Sequence, residues 1–473
     1  MAQHAIVNTP PNYAMPTALR SPGFHSELPT YSPRRSPSTN TSRHSLREDR
    51  TKEFEYDIKN RGKTTAMLTL LAEQSYSKHV PTFLQGSPVR GRVYLTAEKL
   101  ESVQLITVTI HGKIISGADP TQHKTFLEVV QHVWSAEDGL PSRDLGSSNP
   151  TSPTTPNWSS ASSSSGDTGL PPQGNGRLQH GGYSWNFAVH IPREVSVPYG
   201  KNKQLGTFAL PETFIDRLSR ASIAYEVSVH FMRGKWRSDY RIPVPFGYIP
   251  LTRPGPFSTL RQLSYAENAP LLGPTVDLEG WHRVNPITVQ GTLFNNRNVS
   301  FRCTLFLAKP LSYTRGSLIP LSICFEGDDQ QGLDLLSAPG SIDIRLGRRV
   351  RYHYDYLNTL GAHHLKDTID FFDRAVLWPS HEGADDPRHR LRYVNGEIHV
   401  KTDAKPTCAI GDFRIEYTVI LSLEAPGFEP SEKRPPVLQP VDIVSVYAPG
   451  ARPKKYAPPG YDLPTVPSFY LAE

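Results

Sequence analysis

Three short stretches hold residue types whose spacing suits recognition chemistry. They are Pro458-Pro459-Gly460-Tyr461 near one end, Pro10-Pro11-Asn12-Tyr13 near the other, and the weaker relative Leu28-Pro29-Thr30-Tyr31. Adjacent prolines pre-set the polyproline II conformation, so a segment of this kind is extended before it binds. It loses little conformational entropy on docking in an aromatic-lined groove. Pro-Pro-x-Tyr is a pattern that a WW-type domain reads. With 44 prolines and 21 tyrosines in 473 residues, random placement gives about 0.2 matches. Two full matches, one toward each end, exceed that. A proline-rich tail with no partner is the alternative reading.

Hydroxyls precede proline at Thr9, Ser21, Ser32 and Ser36, and Arg34-Arg35-Ser36-Pro37 suits a proline-directed or basophilic kinase. A phosphate there adds about −2 charge and can tune a neighbouring motif; an unmodified tail is the alternative. Catalytic sets are missing: there is no Gly-x-Ser-x-Gly, no P-loop and no His-Glu-x-x-His. His363, His364, His381, Asp385, Asp386 and His389 share one stretch, but nothing fixes a ligand spacing, so a solvated loop is expected there. Asp328-Asp329 reads as a turn. The basic run Arg345 to Arg351 reads as a solvated strand rather than a phosphate site. The expectation is a protein that is not an enzyme, with no cofactor and no metal.

Composition narrows the class. An apolar share of 37% is low for a wholly globular chain and points to disordered segments. The charge of +6, with pI near 9.0, is spread along the chain and does not call for nucleic acid. Cys303, Cys324 and Cys408 form no close pair and no Cys-x-x-Cys. A disulfide framework or zinc site is therefore not expected, and the usage fits a reducing, cytoplasmic setting. No signal peptide is read at the polar N-terminus, and no apolar run reaches the roughly 20 residues that span a bilayer.

The elements that would hold the motifs out are strands. Residues 1–62 read as a disordered tail, with structure beginning near Lys63. Ala66 to Ala72, Val89 to Leu95, Val103 to Ile115 and Phe126 to Trp134 follow, with a bulge or strand end at His111-Gly112. Residues 136–182 break the pattern as a Ser/Thr/Pro/Gly-rich insertion. Tyr183 to Ile191 and Ile223 to Phe231 then alternate, and Leu210-Pro211-Glu212-Thr213-Phe214 reads as a turn. Residues 251–284 read as a partly packed linker. A second block covers 285–447: a hairpin turning at Asn295 to Asn298, a strand at Leu318 to Phe325 set at an edge or bulge by Pro320, and a strand at Phe413 to Leu423. Leu365 to Leu377 fits helix or strand equally. Residues 448–473 read as a second tail. Many short strands and few helical periods predict an all-β chain of two antiparallel β-sandwich domains, 63–250 and 285–447, between disordered proline-rich N- and C-terminal tails.

The order of these segments resembles the arrestin family, in particular the arrestin-related trafficking adaptors (α-arrestins) of fungi. Gly86-x-Pro88-Val89-x-Gly91-x-Val93-x-Leu95, Leu210-Pro211-x-x-Phe214 followed by Ser222-Ile223-x-Tyr225-x-Val227, and Gly316-Ser317-Leu318-Ile319-Pro320-Leu321 carry the likeness. The resemblance implies an adaptor. The sandwiches would dock a plasma-membrane transporter or receptor as cargo, and the motifs would recruit a HECT-type ubiquitin ligase through its WW domains, leading to cargo ubiquitination and endocytosis. On that carry-over Pro10, Pro11, Tyr13, Leu28, Pro29, Tyr31, Pro458, Pro459 and Tyr461 contact the ligase. The protein would be cytoplasmic, recruited peripherally to plasma membrane or endosomes. The insertion leaves cargo choice open, and no residue set reads as an arrestin-type polar core. An arrestin-fold coat or scaffold subunit of endosomal sorting, independent of a ligase, is the second reading.

Overall fold

The computed structural model describes residues 51–60, 62–73, 79–97, 103–116, 123–138, 178, 180–216, 219, 221–234, 238–353, 365–384, 386–432 and 435–461. Their first half forms β1 (Thr51–Asn60), β2 (Lys63–Glu73), β3 (Thr82–Leu84), β4 (Val89–Ala97), β5 (Val103–Ser116), β6 (His123–Ser135), β7 (Gly181–Val189), β8 (Glu194–Tyr199), β9 (Gln204–Ala209), β10 (Phe214–Asp216), β11 (Ala221–Arg233) and β12 (Tyr240–Ile249). One sheet runs β1-β2-β4-β7; the other runs β3-β12-β11-β5-β6, with β10 added to β11. The second half forms β13 (Trp281–Arg283), β14 (Ile287–Leu293), β15 (Arg297–Ala308), β16 (Ser312–Thr314), β17 (Leu318–Glu326), β18 (Ile342–His353), β19 (Leu365–Arg374), β20 (Val376–Pro379), β21 (Leu391–His399), β22 (Cys408–Ile410), β23 (Phe413–Leu423), β24 (Phe428–Pro430) and β25 (Val437–Val444). These make the sheets β20-β21-β17-β15-β14-β24 and β16-β25-β23-β18-β19. The two pairs of sheets form two β-sandwiches, as alternation predicts.

Period-2 burial accounts for the core. On β11, Ile223, Tyr225, Val227, Val229 and Phe231 are buried; on β23, Phe413, Ile415, Tyr417, Val419 and Leu421 are. The sequence places both faces where they lie. Gly112 also marks a bulge: the β5–β6 register shifts between Gly112 and Lys113. A Cβ at Gly112 would meet the Phe126 ring at 2.6 Å, so the site admits only glycine. The hairpin turn lies at Leu293 to Arg297, with Phe294 and Asn295 at positive φ, which asparagine tolerates.

Five expectations are corrected or settled. A strand precedes Lys63: β1, from Thr51, pairs with β2 along its length, and charged residues around Phe54, Tyr56 and Ile58 hide its alternation. Leu365–Arg374 and Val376–Pro379 are strands, which settles the helix-or-strand ambiguity. Pro320 is not on an edge strand, because β17 lies between β15 and β21. Pairing with β15 begins only at Leu321, so the missing N–H of Pro320 falls beyond that ladder. The linker is ordered throughout, and Thr259–Glu267 within it forms helix α1, capped by the Ser258 side chain on the Arg261 N–H. Its Arg261 is 2% exposed and lies 4.7 Å over the Trp281 ring. Asp329, expected in a turn, instead caps helix α2 (Gln330–Leu336).

Tyr417 tests the inward face. Its ring is buried and its hydroxyl donates to the Lys405 carbonyl at 2.7 Å. Tyr417→Asp strands a charge there and should cost about 4 kcal/mol or more, seen as a large drop in the melting temperature of the second sandwich. An unchanged melt refutes the assignment of this face.

Candidate functional site

Two features stand out beyond the cores: the seam where the sandwiches meet, and the segment that carries the C-terminal motif. The seam is built on residues 210–216 of the first sandwich. The turn begins Leu210-Pro211, and the Tyr225 hydroxyl of β11 pins it by donating to the Pro211 carbonyl at 2.7 Å. This aims Glu212 at the second sandwich, where it is only 7% exposed. Arg315 Nη1 reaches its two carboxylate oxygens at 3.0 and 2.8 Å, and Lys405 Nζ reaches Oε1 at 2.7 Å. One turn further, Asp216 meets Arg348 of β18 at 3.6 Å, while Arg348 also donates to Asp370 of β19 at 2.5 Å. The Arg348 guanidinium lies 4.9 Å over the Phe372 ring, and Phe214 packs against Phe413 at 5.8 Å. A second strut joins the linker to the end of β25: Thr252 N–H donates to the Ser445 hydroxyl at 2.9 Å, and Ser445 N–H returns to the Thr252 hydroxyl at 3.1 Å. At the tip of the β8–β9 hairpin, Gly200 N–H donates to Asp412 at 2.7 Å. A cleft of about 450 Å³ remains between the bodies, lined by Phe208, Pro211, Glu212, Cys408 and Arg414 among others.

The segment after β25 does not leave the surface at once. Tyr447 donates to the Gly316 carbonyl at 3.0 Å, and Arg452 lies 4.5 Å over the Tyr447 ring. Tyr456 is held by its backbone: its N–H donates to Glu397 Oε2 at 2.8 Å, and its ring stacks on Tyr265 of α1 at 6.4 Å. Next comes Pro458-Pro459-Gly460-Tyr461. Tyr461 N–H donates to the Pro458 carbonyl at 3.1 Å, and Gly460 has φ +93°. This is a β-turn with Pro459 and Gly460 at its centre, where a proline's fixed φ followed by a glycine at positive φ is the favoured pairing. The extended conformation expected from the two prolines therefore stops at Gly460. Tyr461 itself is 39% exposed.

Residues 73–244 match the family described as arrestin (or S-antigen), N-terminal domain. That stretch of the chain is similar to an arrestin N-terminal domain. The match runs from the end of β2 into β12. No curated protein matches the chain. The arrestin domain supports an adaptor or scaffold, and among the described residues no helix is long and apolar enough to cross a membrane.

Of the site residues read from the sequence, Pro458, Pro459 and Tyr461 lie together in one turn. Pro10, Pro11, Tyr13, Leu28, Pro29 and Tyr31, with Thr9, Ser21, Ser32 and Ser36, lie outside the described residues, as does most of the 136–182 insertion. Among the described residues no cluster of His, Cys, Asp or Glu could hold a metal ion. The basic run divides by face. Arg349 and Arg351 point outward to Glu416 and Asp367, with Arg351 forked on Asp367 at 2.7 and 2.8 Å. The hydrogen bonds from Arg351 hold the Asp367 carboxyl below its usual range. Arg348 faces the seam. Sequence reasoning missed Glu212, Asp216, Arg315 and Lys405 as a set. Their one signal was a pair of acids flanking Phe214 in a turn between apolar strands.

Magnitudes separate the two kinds of ion pair. The Arg351–Asp367 fork is solvated and contributes about 0–1 kcal/mol; Glu212 is shielded, and a hydrogen bond to such a charge is worth about 1.5–3 kcal/mol. Glu212→Gln should lower the unfolding free energy in urea by about 2 kcal/mol, against under about 1 kcal/mol for Arg351→Ala. Equal losses would show that the seam is not buried as described.

Burial also pushes the Cys303 and Cys408 thiols and the Tyr265 hydroxyl up to about 12. Each is neutral in the fold and ionises more readily unfolded. Their contribution is thus complete below about pH 9 and is lost as pH rises toward about 12. A thiol reagent at pH 8 should leave Cys303, 2% exposed, unmodified until the chain is unfolded; rapid labelling of that thiol in the native protein refutes its burial.

Proposed function

We propose that this chain is a non-catalytic adaptor that links a membrane-protein cargo to a WW-domain ubiquitin ligase of the HECT type, promoting cargo ubiquitination and endocytosis. The observation that carries the reading is the C-terminal Pro-Pro-Gly-Tyr: it follows the last strand of the second sandwich closely and turns its tyrosine to solvent. The second copy, at Pro10 to Tyr13, supports it. One such peptide makes a small contact and binds weakly. Two or three on one chain engage several WW modules at once, and effective concentration then supplies avidity without new contacts. If the stretch from Tyr13 to the start of β1 at Thr51 is a flexible coil, it spans roughly 35 Å r.m.s., and the ligase then needs no rigid geometry to reach a cargo on the sandwiches. Cargo docking is assigned to the sandwiches because the family's adaptors are built on them. The fungal α-arrestin subtype, and peripheral recruitment to plasma membrane or endosomes, belong to the same proposal.

The test is a pull-down of the full chain on isolated WW domains, with Tyr13→Ala and Tyr461→Ala combined in one variant. Binding should fall at least tenfold while the melting temperature stays unchanged, since Tyr461 is exposed and the motif at Pro10 to Tyr13 is read as a tail. Retained binding by the double variant refutes the motif assignment. A folded wild-type chain that binds no WW domain favours the coat or scaffold reading.

A further inference from the structure

We propose that the C-terminal Pro-Pro-Gly-Tyr is latched to the second sandwich through Tyr456, and that a WW domain reads it only when the latch opens. The inference rests on the ligand reading of the motif and adds its regulation. Three observations carry it.

The anchor lies two residues before the motif. Glu397 of β21 is 1% exposed, and its carboxylate is fully committed: Oε1 to His399 Nε2 at 2.9 Å and Oε2 to the Tyr456 N–H at 2.8 Å. The Tyr456 ring adds the stack on Tyr265. Two residues of extended chain reach at most about 7 Å, so Pro458 cannot move far from the sandwich while Tyr456 is docked. Pro458 is itself half-buried, and only Pro459, Gly460 and Tyr461 face solvent. A groove that must take both prolines and the tyrosine therefore meets the sandwich surface.

The motif is also in the wrong conformation. Polyproline II has no internal hydrogen bonds, whereas here Tyr461 N–H is taken by the Pro458 carbonyl and Gly460 is at positive φ. Extension means opening that turn, and the nearby anchor limits how freely the chain can do so.

Finally, the latch is built to be weak. The docked Tyr456 buries its hydroxyl with no hydrogen-bond partner among the described residues. A buried polar group left unpaired offsets much of what the N–H···carboxylate bond and the ring stack contribute. The balance is a small preference for the closed form, which a partner can overcome. If the segment is open about one time in ten, its apparent affinity falls about tenfold relative to the free peptide.

The experiment compares an isolated WW domain binding to a synthetic peptide of residues 451–473 and to the full chain carrying Tyr13→Ala and Tyr31→Ala, which leaves the C-terminal motif alone. The chain should bind about tenfold more weakly. Adding Tyr456→Pro, which removes both the ring and the N–H donor, should raise the chain to the affinity of the peptide, and the same change in the peptide should have no effect, because Tyr456 precedes the motif. Equal binding by chain and peptide, or a gap that Tyr456→Pro leaves in place, overturns the latch. A peptide that binds no WW domain overturns the ligand reading itself. Amide exchange reports the latch with no WW domain present: the Tyr456 N–H should be protected in the full chain and lose at least tenfold of that protection in Glu397→Ala, which removes the acceptor. Fast exchange in the unmodified chain sinks the proposal.

Discussion

A carboxylate cannot be buried alone. Glu212 sits at the contact between the sandwiches with almost none of its surface in water, and the second sandwich supplies both cations that make this tolerable, Arg315 and Lys405. The desolvation of such a group is costly, and close cations with hydrogen bonds repay it only in the right geometry. The relative placement of the two bodies is thus tied to one side chain. Asp216 and Arg348 repeat the arrangement a few residues on, with Phe214 and Phe413 packed beside them. The cleft next to them is left open because the contact is made by charges on a turn and not by a continuous apolar face.

The sandwiches themselves were largely legible. Alternation on β11 and β23, the bulge at Gly112 and the asparagine turn at Leu293 to Arg297 are local consequences of period-2 burial and of which residues tolerate positive φ. What failed was whatever depends on a neighbour. Pro320 looks like an edge signal until the ladder with β15 is seen to start one residue later. Helix α1 hides because it inverts the usual pattern: Arg261 and Ser264 face inward while Leu260 and Leu263 are exposed. A buried guanidinium is acceptable there only because Trp281 and Asp277 come from elsewhere in the chain.

The candidate site divides in the same way. The Pro-Pro-x-Tyr motif is a contiguous word and could be read directly. Its conformation was missed, although Pro459-Gly460 is itself a turn signal. Glycine at position 460 admits the positive φ that closes the turn; another residue type would favour continued extension. Nor could the seam be read, because Glu212, Arg315 and Lys405 are separated by long stretches of chain and gain meaning only from the fold.

Buried ion pairs are poor sources of stability and better at specifying geometry. Replacing such pairs with apolar residues of similar volume is often neutral or stabilising, so the seam is hard to explain as a device for holding the bodies together. An apolar contact of the same size tolerates sliding and rotation. Glu212 and Arg315 tolerate little, because a small displacement leaves a shielded charge unpaired. What the seam supplies is a defined angle between the sandwiches more than added stability. The same logic governs the tail. Glu397 fixes where Tyr456 sits, and with it where the motif begins, through one directional bond that a modest change in free energy can break.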